Sequence, residues 1–269
     1  MPMNFAPNNT NSNLPPILLT SCIYISDHAV KLPDPEPRIK YTLESIAKWL
    51  QMFPSIRLVV CDNSGFDFTE LTQKHFANAA IECLHFKADT QKVSYHGKGY
   101  GEGEIIRYAL ENSSILTEST CFAKCTAKLW VENYLECLSQ WNGRFVCRLT
   151  FKNIFSLKRS CIEHIDTRFY LVDKDFYNKY LLCAHTNLGG NTGVSIEDRY
   201  LQIIQENNIL NVAFKIPPIV GGVGGGIGKH YNISKSKQLK EKLRYWLASR
   251  LPQYSQLFVI KTEDSSTLF

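Results

Sequence analysis

PPILLTSCIYI, Pro15 to Ile25, and IRLVVCDNSG, Ile56 to Gly65, decide the fold of this chain. Each holds a short apolar run rich in branched residues, and the second closes in the turn sequence Asp-Asn-Ser-Gly. Apolar runs this short, bounded by turn signals, read as buried strands. Between them, after the proline-rich LPDPEP, Ile39, Leu43, Ile46, Ala47 and Leu50 recur at helical spacing over Arg38 to Met52, and Pro54 ends the helix. Thr69 to Phe76 then reads as helix and Ile81 to Phe86 as a third strand. This alternation predicts an α/β fold, a mostly parallel central sheet flanked by helices.

The second half is read more coarsely. Helices are expected over Glu102–Asn112, Val131–Trp141, Asp173–Leu182, Glu197–Glu206 and Ser234–Arg250. Strands are expected over Cys121–Leu129, Phe145–Thr150, Phe169–Val172 and Val212–Ile216. No internal repeat is visible. Residues 1–14 are expected to be a flexible leader and 15–269 one domain, with a nucleotide-binding half to about residue 130 and an acceptor half beyond it.

Composition bounds the function. With 44% hydrophobic and 20% charged residues, the chain is globular rather than disordered. A net charge of +5 suits anionic ligands but is too weak and dispersed for a nucleic-acid partner. No apolar run reaches the roughly 18 residues of a membrane span, and the asparagine-rich start resembles no secretory signal. Nine cysteines, including Cys22, Cys61, Cys83, Cys147 and Cys183 inside apolar segments, read as buried free thiols in the cytoplasm.

Ligands of open α/β sheets sit outside the carboxyl ends of the strands. Leu18 to Ile25 reads as the first strand, with Ser21 in it a candidate donor contact, Asp62 follows the second and can hold a base or ribose, and Arg38 at the start of the first helix can reach a diphosphate. HGKGYGEGEIIRYALENS, His96 to Ser113, sets a glycine-rich turn before a helix. Lys98, Gly99, Gly101 and Glu102 of that turn form a candidate ligand loop, because glycine admits close backbone approach and a helix start favours phosphate. Glu102 stands where a dinucleotide fingerprint needs glycine, so that motif is excluded. The second tract, IVGGVGGGIGKHYN, lacks the P-loop's Ser or Thr after the lysine, leaving Lys229 and His230 as candidate phosphate contacts on a loop. In GVSIEDRYLQII, Gly193 to Ile204, Glu197 and Asp198 face about 100° apart on one helix, so one can be a general base and the other a cap.

The order of these features resembles GT-A-type glycosyltransferases, particularly small bacterial-type enzymes that build surface polysaccharides. KGYGEGEIIRYALENS followed by CFAKCTAKLWVENY is similar to a KGYGE…FxKxTGR pattern of such enzymes, with Thr126-Ala127-Lys128 standing where TGR is expected. IEDRY is positioned like the ED motif that supplies the base in inverting members, which makes Asp198 the expected base and Glu197 the alternative. The resemblance implies a nucleotide-sugar donor and a glycan or lipid-linked glycan acceptor. It also implies a divalent metal, Mg or Mn, on an Asp-x-Asp motif, yet AKCTAK at the corresponding place has no acid, and Asp173-Lys174-Asp175 comes too late in the chain. Lys124 and Lys128 are then expected to offset phosphate charge. A sugar nucleotidyltransferase is the alternative enzyme, disfavoured by a glycine-free segment after the first strand, and a non-catalytic glycan-binding protein is the alternative outside catalysis. Leu239, Leu243, Trp246 and Leu247 share a face of the last helix amid lysines, a pattern that allows peripheral contact with an anionic membrane.

Overall fold

The computed structural model describes residues 14–25, 32–156, 158–189, 193–224, 228, 230–231 and 235–259. The expected leader, but for its last residue, and Lys229 therefore lie outside the described residues. The first half runs β1 (Ile17–Ser21), α1 (Pro35–Met52), β2 (Leu58–Asp62), α2 (Thr69–Phe76), β3 (Ile81–His85), α3 (Thr90–His96), α4 (Lys98–Asn112) and α5 (Ser114–Thr117). It continues with β4 (Cys121–Thr126), β5 (Leu129–Val131), α6 (Tyr134–Leu138), β6 (Phe145–Lys152), β7 (Cys161–Asp173) and α7 (Lys174–Phe176). Then come α8 (Ile196–Glu206), β8 (Val220–Gly222), α9 (Lys235–Arg250) and α10 (Pro252–Ser255).

The main sheet has the order β3-β2-β1-β4-β7-β6. β3, β2, β1 and β4 are parallel neighbours, while β7 runs antiparallel to both β4 and β6. One reversed strand thus interrupts an otherwise parallel sheet, as the alternation predicts. Side chains of each strand alternate between two apolar layers. Leu18, Val59 and Phe122 enter one layer with Ile105 and Ala109 of α4 and Tyr200 and Ile204 of α8. Ile17, Leu19, Leu58, Val60 and Cys125 enter the other with Ile46 and Trp49 of α1. Burial on both faces explains why these strands read as continuous apolar runs.

Several expectations for the second half need correction. Val131–Trp141 is shorter as a helix, because Val131 belongs to β5 and only Tyr134–Leu138 is helical. Asp173–Leu182 divides into α7 and a π-helical turn at Tyr177–Leu181. Val212–Ile216 forms only isolated bridges, from Ala213 to Cys147 and Phe258. The start of the second glycine tract is β8, paired antiparallel with β5, rather than a loop. All nine cysteines are free, but only Cys61, Cys125, Cys137 and Cys147 are buried; Cys22, Cys83 and Cys121 are half-buried, and Cys161 and Cys183 are exposed.

The largest correction concerns the first glycine tract. Only Gly97 is a turn residue, with φ +83° ending α3 and opening α4, while Gly99, Gly101 and Gly103 lie inside the helix. Interior glycines cost a helix about 0.5–1 kcal/mol each, so packing must compensate. A Cβ on Gly99 would lie 2.8 Å from Ile196 Cβ, and one on Gly103 would overlap the ring of buried His185. The glycines let α4 press against α8 and the 3-10 turn Ala184–Asn187. Gly103→Ala is accordingly expected to lower stability by about 1–3 kcal/mol, the usual cost of overpacking. A urea midpoint equal to that of the parent chain would refute this account.

Candidate active site

The carboxyl ends of β1, β2 and β4 converge on one cleft of ≈ 820 Å³. Its floor holds Thr20 and Ser21 from β1, Asn63 and Ser64 after β2, and Thr126 and Lys128 at and after the end of β4. Gly97, Lys98, Gly99 and Glu102 bound it from α4, and Glu197 from the first turn of α8. His164, Asp166, Thr167 and Arg168 of β7 close the remaining side.

β7 reaches the cleft because of its direction and a bulge. Cys121 pairs with Asp173 and Cys125 with Phe169, so the first half of this antiparallel strand projects beyond the end of β4. The pairing with β6 then jumps from Cys147–Tyr170 to Arg148–Asp166, leaving Thr167, Arg168 and Phe169 out of that ladder. A bulge of this kind re-aims side chains. The signal was present in the sequence as the polar triplet Asp166-Thr167-Arg168 before the apolar FYLV, but only Phe169–Val172 was read as strand.

The sequence-derived candidates divide sharply. Ser21, Arg38, Lys98, Gly99, Glu102, Lys128 and Glu197 all line the cleft. Gly101 does not; its carbonyl accepts from Asn63 Nδ2 at 3.2 Å. His230 is also absent from the lining, being exposed and edge-on to Tyr41. Asp62 is fully buried, with Oδ2 accepting from Ile23 N and Oδ1 from Ser64 N, Ser64 Oγ and Phe66 N. It fastens the β1 and β2 exits together rather than presenting a carboxylate to a base or ribose.

Asp198 likewise has a structural partner. Its carboxylate accepts from Ser195 N and Oγ while its own N–H donates to Ser195 Oγ, a complete capping box at the start of α8. The neighbouring Glu197 faces the cleft, and its one hydrogen bond among the described residues comes from Thr167 Oγ1 at 3.3 Å. Of the two acids, Glu197 lines the cleft and Asp198 does not.

The cations also sort themselves. Lys124 has no accessible surface, and its ammonium is consumed by Glu102 Oε1 at 2.8 Å and the Thr167 carbonyl at 2.7 Å, which removes it as a phosphate contact. Arg168 is held by Asp166 and lies 4.7 Å over the Tyr231 ring. Burial alone would raise the Asp166 carboxyl, but Arg168 and Arg148 hold it below the usual range. Arg38, 5% exposed, spends its guanidinium on two backbone carbonyls, Cys22 at 2.7 Å and Leu32 at 3.0 Å, with no carboxylate partner among the described residues. Lys128, 2% exposed, has no hydrogen-bond or ion-pair partner among them at all. Burial, reinforced by Arg38, pushes its ammonium down to about 7. Ser21 Oγ is buried without a partner beside them on the cleft floor. Two buried basic groups without an ion-pair partner among the described residues, together with an orphaned hydroxyl, are a donor set that suits an anion.

A divalent metal fits this donor set poorly. The cleft carboxylates Glu102 and Asp166 are already ion-paired, and the described residues contain no cluster of three or more His, Cys, Asp or Glu able to hold an ion. Asp173 caps α7 and pairs with Cys121 at the amino end of β4, the opposite end of the strands from the cleft.

No protein-family model matches this chain, and no curated protein matches it. Among solved structures it is similar to a putative nucleotide-diphospho-sugar transferase from Desulfovibrio desulfuricans G20, at TM-score 0.44 and 8% identity over 73% of this chain and 78% of that one. It is also similar to a glycosyltransferase involved in glycosylation of the major capsid of PBCV-1, at 0.39 and 13% over 74% and 81%. The bifunctional IspDF from Campylobacter jejuni matches at 0.39 and 13% over 71% and 47%. Likenesses this distant assign no role to any residue. No helix among the described residues is long and apolar enough to cross a membrane.

Proposed function

We propose that the chain is a glycosyltransferase that moves a sugar from a nucleotide-sugar donor to a glycan hydroxyl with inversion at the anomeric carbon. The observation that carries this reading is that one cleft holds two buried basic residues without an ion-pair partner among the described residues, Lys128 and Arg38, and a carboxylate without a cationic partner among them, Glu197. The donor diphosphate lies over Lys128, Arg38 and Ser21 at the strand ends. Glu197 takes the proton of the acceptor hydroxyl as its oxygen attacks the anomeric carbon. The bond from that carbon to the phosphate oxygen breaks, and the electron pair leaves on the nucleoside diphosphate, whose added charge Lys128 and Arg38 stabilise.

Calorimetric titration of the purified chain with UDP, GDP, CMP and dTDP compounds tests the donor half of the reading. One of them is expected to bind with a micromolar to millimolar Kd, and absence of binding by all four overturns it. Consumption of a nucleoside triphosphate with pyrophosphate release would instead establish nucleotidyl transfer.

A further inference from the structure

α9 carries its apolar stripe on the wrong side for a core helix. Tyr245 and Ala248 pack inward, 2% and 0% exposed, whereas Leu239, Leu243 and Trp246 stand outward at 69%, 48% and 51%. At about 100° per residue, positions 239, 243 and 246 fall within one narrow sector opposite Tyr245 and Ala248. Lys240 and Lys242 flank that sector, and the Arg250 guanidinium lies 4.5 Å over the Trp246 ring.

The charge of the helix is equally one-sided. Its sequence KSKQLKEKLRYWLASR holds six basic residues and one acid. That acid, Glu241, is drawn to Arg148 Nη2 of β6 at 2.9 Å and to Arg244 Nη1 at 2.8 Å. The outward sector is thus apolar at its centre and cationic at its rim. A second copy of the chain on this face would bring lysines against lysines, and a polyanion alone would leave the leucines and tryptophan in water.

We infer that the outer face of α9 docks on an anionic lipid surface, with Leu239, Leu243 and Trp246 entering the headgroup boundary and the flanking basic residues meeting lipid phosphates. Arg148 lies 3.9 Å from the cleft residue Asp166, so the docked helix and one wall of the cleft are joined by an ion-pair chain. Docking does not depend on what the cleft catalyses.

Flotation of the full chain with vesicles decides the matter. Partition onto phosphatidylcholine vesicles containing about 30% phosphatidylglycerol is expected to exceed that onto phosphatidylcholine alone by at least about ten-fold. Raising salt from about 0.1 to about 0.5 M should weaken it. The double variant Leu243→Glu, Trp246→Glu should lose binding by at least about ten-fold while its urea midpoint and nucleotide titration stay unchanged, since both side chains are exposed and outside the cleft. If that variant fails to fold, Lys240→Glu with Lys242→Glu makes the same test through charge. No binding to the anionic vesicles, or binding by both variants equal to that of the parent chain, overturns the inference. So does a dimer in light scattering that Leu243→Glu, Trp246→Glu dissociates, which would make a second copy the occupant.

Discussion

Glu197→Gln is expected to lower the rate of sugar transfer by roughly two to four orders of magnitude while leaving donor affinity near that of the parent chain. The amide keeps the length of the side chain and can still accept from Thr167 Oγ1, which bonds the carboxylate at 3.3 Å. What it loses is the basic oxygen. Asp198→Asn is the control. Asparagine can still accept from Ser195, so a weakened cap is expected to cost about 1 kcal/mol of stability and transfer is expected to stay within a few-fold of normal. Loss of transfer in Asp198→Asn alone would reverse the two roles. Normal turnover by both variants would put the base elsewhere.

Lys128→Met is expected to weaken binding of a nucleotide sugar by about ten- to a hundred-fold, the range for losing a charge-assisted bond to a buried partner. Its pH dependence has two opposite signs. The ammonium ordinarily titrates at 10.5 but is held near about 7 by burial first and Arg38 second. Only the charged form attracts the diphosphate, so above about pH 7 binding must draw in a proton, and affinity should fall by up to about tenfold per pH unit. Unliganded stability moves the other way. Between about 7 and 10.5 the unfolded chain binds the extra proton, so stability should rise with pH by up to about 1.4 kcal/mol per unit. Burial holds the Cys61 and Cys125 thiols above their ordinary 9.0, so they too titrate in that window only once the chain unfolds, and the difference between Lys128→Met and the parent chain isolates the lysine. An affinity that stays flat from about pH 6 to 9 would dispose of Lys128 as a phosphate contact.

The start of the fold was legible because β1 and β2 are buried on both faces and α1 between them buries one stripe. ILLTS and LVVCD could be little else, and Pro35 and Pro54 fence the intervening helix. The second half was harder because its elements are set by partners far away in sequence. β8 is three residues, Val-Gly-Gly, with no strand signal of its own, and it exists because Leu129–Val131 lies beside it. The glycines of α4 read as a turn rather than a helix for a related reason. A small residue that admits a ligand and one that admits a neighbouring helix look identical until Ile196 and His185 are seen against them. The same holds for the paired acids of IEDRY. Their spacing separates their directions, but only the position of Ser195 shows which one is spent on the helix end.

The buried ammonium of Lys124 also determines how the cleft exchanges with solvent. It joins Glu102 on α4 to the Thr167 carbonyl on β7, so neither side can swing away without leaving a charge buried and unpaired. Breaking such a pair costs about 3–5 kcal/mol, well above the energy of ordinary loop fraying. In deuterium exchange, amides of the Cys121–Thr126 strand should therefore be among the slowest in the chain, opening only with the molecule as a whole. Ligand binding then adds little protection there, and its exchange signature should fall on the segments that reach the cleft from outside this clasp.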